Sequence, residues 1–385
     1  MKKLFKKWLL PISVLGIIVG CSSEEDSIVM APLPVVDSEF TPSTEWSSSI
    51  GSGVGQYFSN LSPVYAYDNL FVASRDGVVK AYDVETGNTL WQTKVESETL
   101  PRLSGGLSAA YEKLYIGTEN GEVIALSIEN GEELWRANVK GEVLANPVAD
   151  ASLIMVHTSQ GLLVGLDQAD GSERWTISTD VPNLTLRGDS TPVAESGGVF
   201  WGTANGRIAA AIVERGQLIW QQPVGTPKGS TEIDRLVDVD ASPIILGGQL
   251  FTIGFNGQLI SIDLRTGNPV WKRNYSSVSD MATDNRNLYV VTDTDHLVAV
   301  DARSGTELWK NNQLEYRQLT DPVIIDGYLV VGDSLGYLHW LDRETGEFVA
   351  QQLIHDSGMA VGPTLVDGGY VIMARDGQLK KLTIQ

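Results

Sequence analysis

The chain has 385 residues, 42% of them hydrophobic and 20% charged, and a formal net charge of -20. That is ample apolar material for a packed core, and length alone suggests two or three domains. Without the four lysines of the first 20 residues the charge is -24, a surface that repels phosphate backbones and so excludes nucleic acid as a partner.

The chain opens with MKKLFKKWLLPISVLGIIVGCSS, a basic start followed by an apolar run from Trp8 to Gly20 that is too short to span a bilayer comfortably. Residues 1–20 therefore read as a secretion signal. The junction Ile18-Val19-Gly20-Cys21 resembles the bacterial lipoprotein signal, which implies lipidation at Cys21 and membrane attachment through the lipid anchor alone. Ser22 beside the cysteine, rather than Asp, implies sorting to the outer membrane. Cys21 is the only cysteine, so a disulfide framework is excluded. The next stretch, SSEEDSIVMAPLPVVDSEFT, mixes acids, Ser and Pro without periodicity, and residues 21–41 read as lipid site plus flexible linker. A tether of ~20 residues would reach roughly 25 Å.

From residue 42 onward one pattern repeats. Trp46, Trp91, Trp135, Trp175, Trp220, Trp271 and Trp309 recur at 38 to 51 residues, a period that marks a propeller or solenoid. A turn precedes most of them, as in AYDVETGNTLW, ALSIENGEELW and AVDARSGTELW. The Gly is expected to permit the tight reversal, and the Trp to fill the inner face of the next strand. A second turn comes earlier in each unit, at Asp76-Gly77, Asn120-Gly121, Gln160-Gly161, Asn205-Gly206, Asn256-Gly257, Leu335-Gly336 and Asp376-Gly377, with Asp295-His296 as the departing copy. Asp-Gly and Asn-Gly between alternating apolar residues are strong hairpin signals.

Each unit holds four short β-runs, A to D, such as SPVYAY, NLFVAS, VVKAYD and TLWQTK. Eight such units predict an all-β, eight-bladed β-propeller over residues 42–385, one domain in place of two or three. The chain begins with a Trp strand and ends with the strand that should precede it, so the two termini are expected to close the ring in one blade.

Spacing then separates the constant from the variable. Six units have 14 residues between the Pro that opens strand A and the hairpin Gly, whereas the D-to-A crossover runs 12 residues from Trp135 to Pro147, 17 from Trp175 to Pro192 and 23 from Trp220 to Pro243. Up-and-down strands put all these crossovers on the face that carries the B–C hairpins. The long ones enter the fourth and fifth blades side by side, and a varied loop on a constant scaffold is where function is expected.

Enzymatic chemistry is not legible. His157, His296, His339 and His355 lack metal-ligand spacing, so neither a metal nor a catalytic residue is assigned. Gly332-Asp333-Ser334-Leu335-Gly336 matches a nucleophile elbow in letters but falls on a hairpin instead of a strand-to-helix turn. The Trp and Gly repeat resembles the tryptophan-motif propellers of pyrroloquinoline quinone dehydrogenases. With one cysteine the chain lacks the adjacent pair many of those enzymes carry, so no cofactor is expected; a periplasmic quinone-dependent dehydrogenase or cofactor-binding propeller is the alternative.

Two crossovers carry a more specific resemblance. VPNLTLRGDSTPV and STEIDRLVDVDASP, with the lipoprotein signal and the eight units, resemble the BamB family, the lipoprotein propellers of the outer-membrane β-barrel assembly machinery. This implies a non-enzymatic scaffold that docks on the periplasmic polypeptide-transport-associated domains of the central subunit, BamA, with unfolded outer-membrane proteins as a second partner class. Carried over residue by residue, the contacts fall on Leu184, Leu186, Arg187, Asp238 and Asp240. Alternation in extended backbone would put Leu184 with Leu186, and Asp238 with Asp240, on shared sides. Either these residues form an exposed composite patch, or the leucines tuck under their loop and Arg187 pairs with Asp238 or Asp240. Asp234 and Arg235 are candidate props of the longer crossover.

Overall fold

Short runs rich in Val, Ile, Leu and aromatics, separated by Gly-bearing turns, form strands of two to eight residues throughout a computed structural model that describes residues 28–97 and 99–384. Eight antiparallel sheets of four strands result, each in simple sequence order except the last. Blades 1 to 7 span Val64–Lys94, Leu103–Asn138, Val148–Ser178, Val193–Pro223, Ile244–Arg273, Ala282–Asn311 and Val323–Leu353. In blade 8, strands from Thr364 to Thr383 are completed by Ser43–Ser49, with Ser43 opposite Thr383 and Ser49 opposite Gln378. The predicted eight-bladed propeller and its closure by the two chain ends are thus as observed.

Apolar packing lies between blades. Phe251, Leu259 and Trp271 of blade 5, for example, pack with Leu288, Val290 and Val298 of blade 6. The tryptophans do more than fill their own strand. Trp135 lies against Gly171 of blade 3, where a Cβ would sit 2.6 Å from the indole and where φ is +74°. Its Nε1–H donates to the Gln168 carbonyl at 3.1 Å. The same indole-on-glycine contact joins seven of the eight successive pairs of blades, from Trp46 on Gly87 to Trp309 on Gly346; the outer strand of blade 7, Phe348–Leu353, carries no Trp. The C–D turn glycine is therefore required twice, for its left-handed backbone and for the space its missing side chain leaves to the neighbouring blade's indole.

The linker expectation needs correction for its second half. Ala31 N–H donates to Glu315 O at 2.9 Å, and the Ala31 carbonyl accepts from Arg317 Nη1 at 3.0 Å. Glu39 N–H donates to Val349 O at 3.0 Å, and the Phe40 ring lies tilted against Tyr328 and edge-on to Trp340. Backbone amides, the Arg317 guanidinium and one aromatic side chain thus strap residues 31–40 onto blade 7 and the crossover leading into it, which composition alone does not reveal. Cys21 itself, and the signal segment 1–20, lie outside the described residues.

Candidate functional site

The crossovers into blades 4 and 5 are built as a pair. Each starts by hydrogen bonding to the B–C hairpin of the blade it leaves, through Thr179 N–H to Gly161 O and Val224 N–H to Gly206 O, both at 2.9 Å. The shared face inferred from strand direction is therefore correct. Deeper in, His157 Nδ1 lies 3.1 Å from the Ser190 carbonyl, and Ser190 Oγ donates to Ala241 O at 3.1 Å, locking one crossover to the next. Burial pushes the His157 imidazole down to about 4, so it is neutral and acts as a core strut.

The longer crossover divides into a packed base and an exposed tip. Leu236, Val237 and Val239 are buried, and Phe255 N–H donates to Asp238 O at 2.8 Å. At the tip, Asp234 Oδ2 accepts from Thr231 N–H at 3.2 Å while Thr231 Oγ1 accepts from Asp234 N–H at 3.1 Å. This reciprocal pair folds Glu232 to Arg235 into a single turn and makes Asp234 a prop, as expected. Arg235 is exposed and only 3.9 Å from Glu232. The turn holds up Ile233, which is 70% exposed.

The five residues carried over from the resemblance are brought together, but not as one exposed patch. Leu184 is 42% exposed and Leu186 half-buried. Asp238 is buried, and its Oδ1 accepts the Leu186 N–H at 3.0 Å. It positions the shorter loop instead of facing solvent. Asp240 is half-buried and turned toward the propeller axis, where its Oδ2 would touch a Cβ added to Gly188 at 2.7 Å. Asp238 and Asp240 do share a side, with Val237 and Val239 turned to the blades, but the shorter loop covers that side and it does not face solvent.

Arg187 pairs with neither aspartate. It reaches Glu142 at 2.7 Å and Glu119 at 3.2 Å, and Glu119 also holds Arg75 at 2.9 Å. Arg75 in turn lies 4.0 Å from the centroid of Tyr57. A ladder of charges thus ties the loop of blade 4 to the entry of blade 1.

Three exposed residues escape a sequence reading that follows charge and spacing between repeats. Ile233 sits unmarked among acids in TEIDR, and Val181 opens the shorter loop. Tyr57, 61% exposed, belongs to the entry into blade 1; the Trp46 to Pro63 spacing of 17 residues equals that of Trp175 to Pro192 and is the legible sign of it. Among the described residues no group of three or more His, Cys, Asp or Glu is placed to hold a metal ion. Ser334 of the elbow lookalike sits in a B–C hairpin, where its hydroxyl donates to Arg317 O at 2.9 Å. The axis is lined by Asp189, Asp240, Asp280 and Asp321, which disfavours a carboxylate-bearing quinone there.

Comparison with known proteins bears on both readings. A family model described as "Outer membrane protein assembly factor BamB" matches residues 75–311 and 294–385. The assembly factor of that name from Vibrio cholerae is 68% identical over 385 residues, covering all of both chains. The one from Escherichia coli K12 is 42% identical over 392 residues, covering 100% of this chain and 99% of its own. The crystal structure of BamB from Moraxella catarrhalis superposes with a TM-score of 0.80 at 28% identity, over 89% of this chain and 100% of that one. A quinohemoprotein alcohol dehydrogenase from Comamonas testosteroni reaches a TM-score of 0.70 at 13% identity, over 89% of this chain and 76% of that one, and shares the fold alone. The chain belongs to the BamB family of outer membrane protein assembly factors.

Proposed function

We propose that the protein is a non-enzymatic scaffold subunit of the outer-membrane β-barrel assembly machinery, and that the paired crossovers into blades 4 and 5 dock on the periplasmic domains of BamA. Family membership supports the assembly role. The observation that carries the docking reading is the pair of adjacent loops whose bases are locked together while Leu184 and Ile233 remain exposed at their tips. Apolar side chains held in solvent by a rigid base gain nothing alone, and burial by a partner would stabilise each by at most about 1.5 to 3 kcal/mol.

In this reading Leu184, Leu186 and Ile233 make the apolar contact, Arg187 supplies a charged rim, and Asp238 acts through the loop it holds. Asp240 faces the axis behind them. Lipidation at Cys21 after removal of residues 1–20 would place the propeller on the periplasmic face of the outer membrane, with a short tether to the strap on blade 7. The test is extraction of membranes in mild detergent followed by affinity purification of the tagged full chain. BamA should copurify with the wild type, and a Cys21→Ser chain should leave the membrane fraction. Purification of the folded wild type without BamA would reject the docking role.

A further inference from the structure

Behind the docking loops, at the axis, lies a cavity of about 500 Å³ bordered by the entries to every blade except the second. Four carboxylates line it, from Asp189, Asp240, Asp280 and Asp321, against two guanidiniums, Arg187 and Arg375. Arg187 is already committed to Glu142 and Glu119. Arg375 donates to the Gly55 carbonyl at 3.1 Å. Acidic groups are therefore in excess of free cations within a partly enclosed space, where burial opposes their ionisation.

Three of the acids have partners or surroundings that account for them in part. Asp280 accepts Ser242 N–H at 2.6 Å and Ser242 Oγ–H at 2.9 Å, and Asp321 accepts Asp280 N–H at 2.9 Å. Asp240 lies against Gly188. Asp189 is different: it is 8% exposed, and its Oδ2 is buried with no hydrogen-bond partner. Burial, then Asp240 and Glu142, raise its carboxyl well above the usual range, with Asp238 adding to and Arg187 opposing the shift. A buried acid oxygen without a donor, on the wall of a cavity, is a position that a cationic donor would complete.

We propose that this axial cavity binds a ligand carrying ammonium groups, with Asp189 as the principal acceptor and Asp240, Asp280 and Asp321 as further counter-charges. The acids are spread around the axis and make no metal-ligating group, so separated charges suit them better than a single ion. Phe58, Val278, Leu319 and Val361 offer apolar wall between them for methylene segments. The volume lies in the range of small-ligand sites. Two sources share this chemistry, a free polyamine and a lysine side chain delivered by a partner seated on the loops.

The probe is spermidine, titrated by calorimetry into the full-length lipidated chain in detergent, with sodium chloride matched for ionic strength. Saturable binding is expected, tighter at pH 8 than at pH 6 because the acceptors must be ionised. Asp189→Asn should weaken it at least about tenfold, the scale of a charge-assisted hydrogen bond. That variant should melt no lower than wild type without ligand, since burial already favours the uncharged form of this carboxyl. Asp321→Asn, whose amide oxygen can still accept from Asp280, is the second variant and should also weaken binding. A complex with BamA that no longer takes up spermidine would identify a partner lysine as the native occupant; undiminished uptake would identify the free polyamine. No saturable binding up to about 1 mM, or equal affinity in both folded variants, would overturn the site and leave only attraction to an acidic surface. Neither result bears on copurification of wild type with BamA, so the two readings fail separately.

Discussion

The outer clamps and the axial crossovers obey opposite rules. At the rim, the same indole-on-glycine contact is made between successive blades around the ring, with little room for variation at either residue. At the axis, each crossover is fixed by its own set of side chains. Asp238 holds Leu186, Asp280 holds Ser242, Asp321 holds Asp280, and Asp295 holds Gln318 and Leu319. Repetition marks what keeps the ring closed, and departure from it marks where the molecule can present something. The crossover into blade 5 departs furthest in length, and Asp238 and Ser190 tie it to the one into blade 4.

Breaking the rim should have the largest effect. Trp135→Ala removes a buried indole from the junction of blades 2 and 3 and is expected to cost about 3 to 5 kcal/mol in denaturant unfolding. A loss below about 1 kcal/mol would mean that the clamps do not hold the ring. Next comes the Asp238–Leu186 hydrogen bond between the two crossovers. Asp238→Ala leaves the Leu186 amide without its acceptor and should cost about 1 to 3 kcal/mol, whereas Asp238→Asn keeps an acceptor oxygen and should remain near wild type. Equal losses in the two variants would argue that charge, not the hydrogen bond, is what matters there.

Titration sharpens the same contrast. Burial, followed by a neighbouring aspartate, pushes Asp240 and Asp321 up to about 7. A carboxyl whose folded value is raised binds its proton more tightly when folded, so its contribution falls as pH rises from about 4, the unfolded value, to about 7. Melting temperature should accordingly decline across that window, and Asp240→Asn with Asp321→Asn should flatten the decline. A melting temperature that rises from pH 5 to pH 7 in wild type and is unaltered by the pair would contradict it. The smallest stability effects belong to the loop tips: Leu184→Ala and Ile233→Ala should each change unfolding free energy by no more than about 0.5 kcal/mol, because both are already in solvent.

Much of the fold is legible from spacing because each blade repeats one local solution, with Gly at two turns and Trp on the outer strand. The locations of the long crossovers are legible for the same reason, as interruptions. Their internal geometry is not. Asp238 and Asp240 look like exposed acids because the letters alternate, yet backbone that enters the crowded axis has no free side to alternate toward. Ile233 is overlooked because a lone apolar residue among charges carries no periodicity, and its exposure depends on the turn that Asp234 and Thr231 make. The strap from Ala31 to Phe40 uses main-chain hydrogen bonds, which composition does not encode.

The central claim is that the tips of these two crossovers are the docking surface. It is tested most directly by copurifying BamA with full-length chain bearing Leu184→Asp and Ile233→Asp together. The control carries Glu129→Arg and Glu132→Arg in the C–D turn of blade 2, on the opposite face. The account predicts loss of BamA from the first variant at an unchanged melting temperature, and wild-type recovery with the control. Wild-type recovery of BamA by the folded loop variant would contradict it and leave the paired crossovers without a partner.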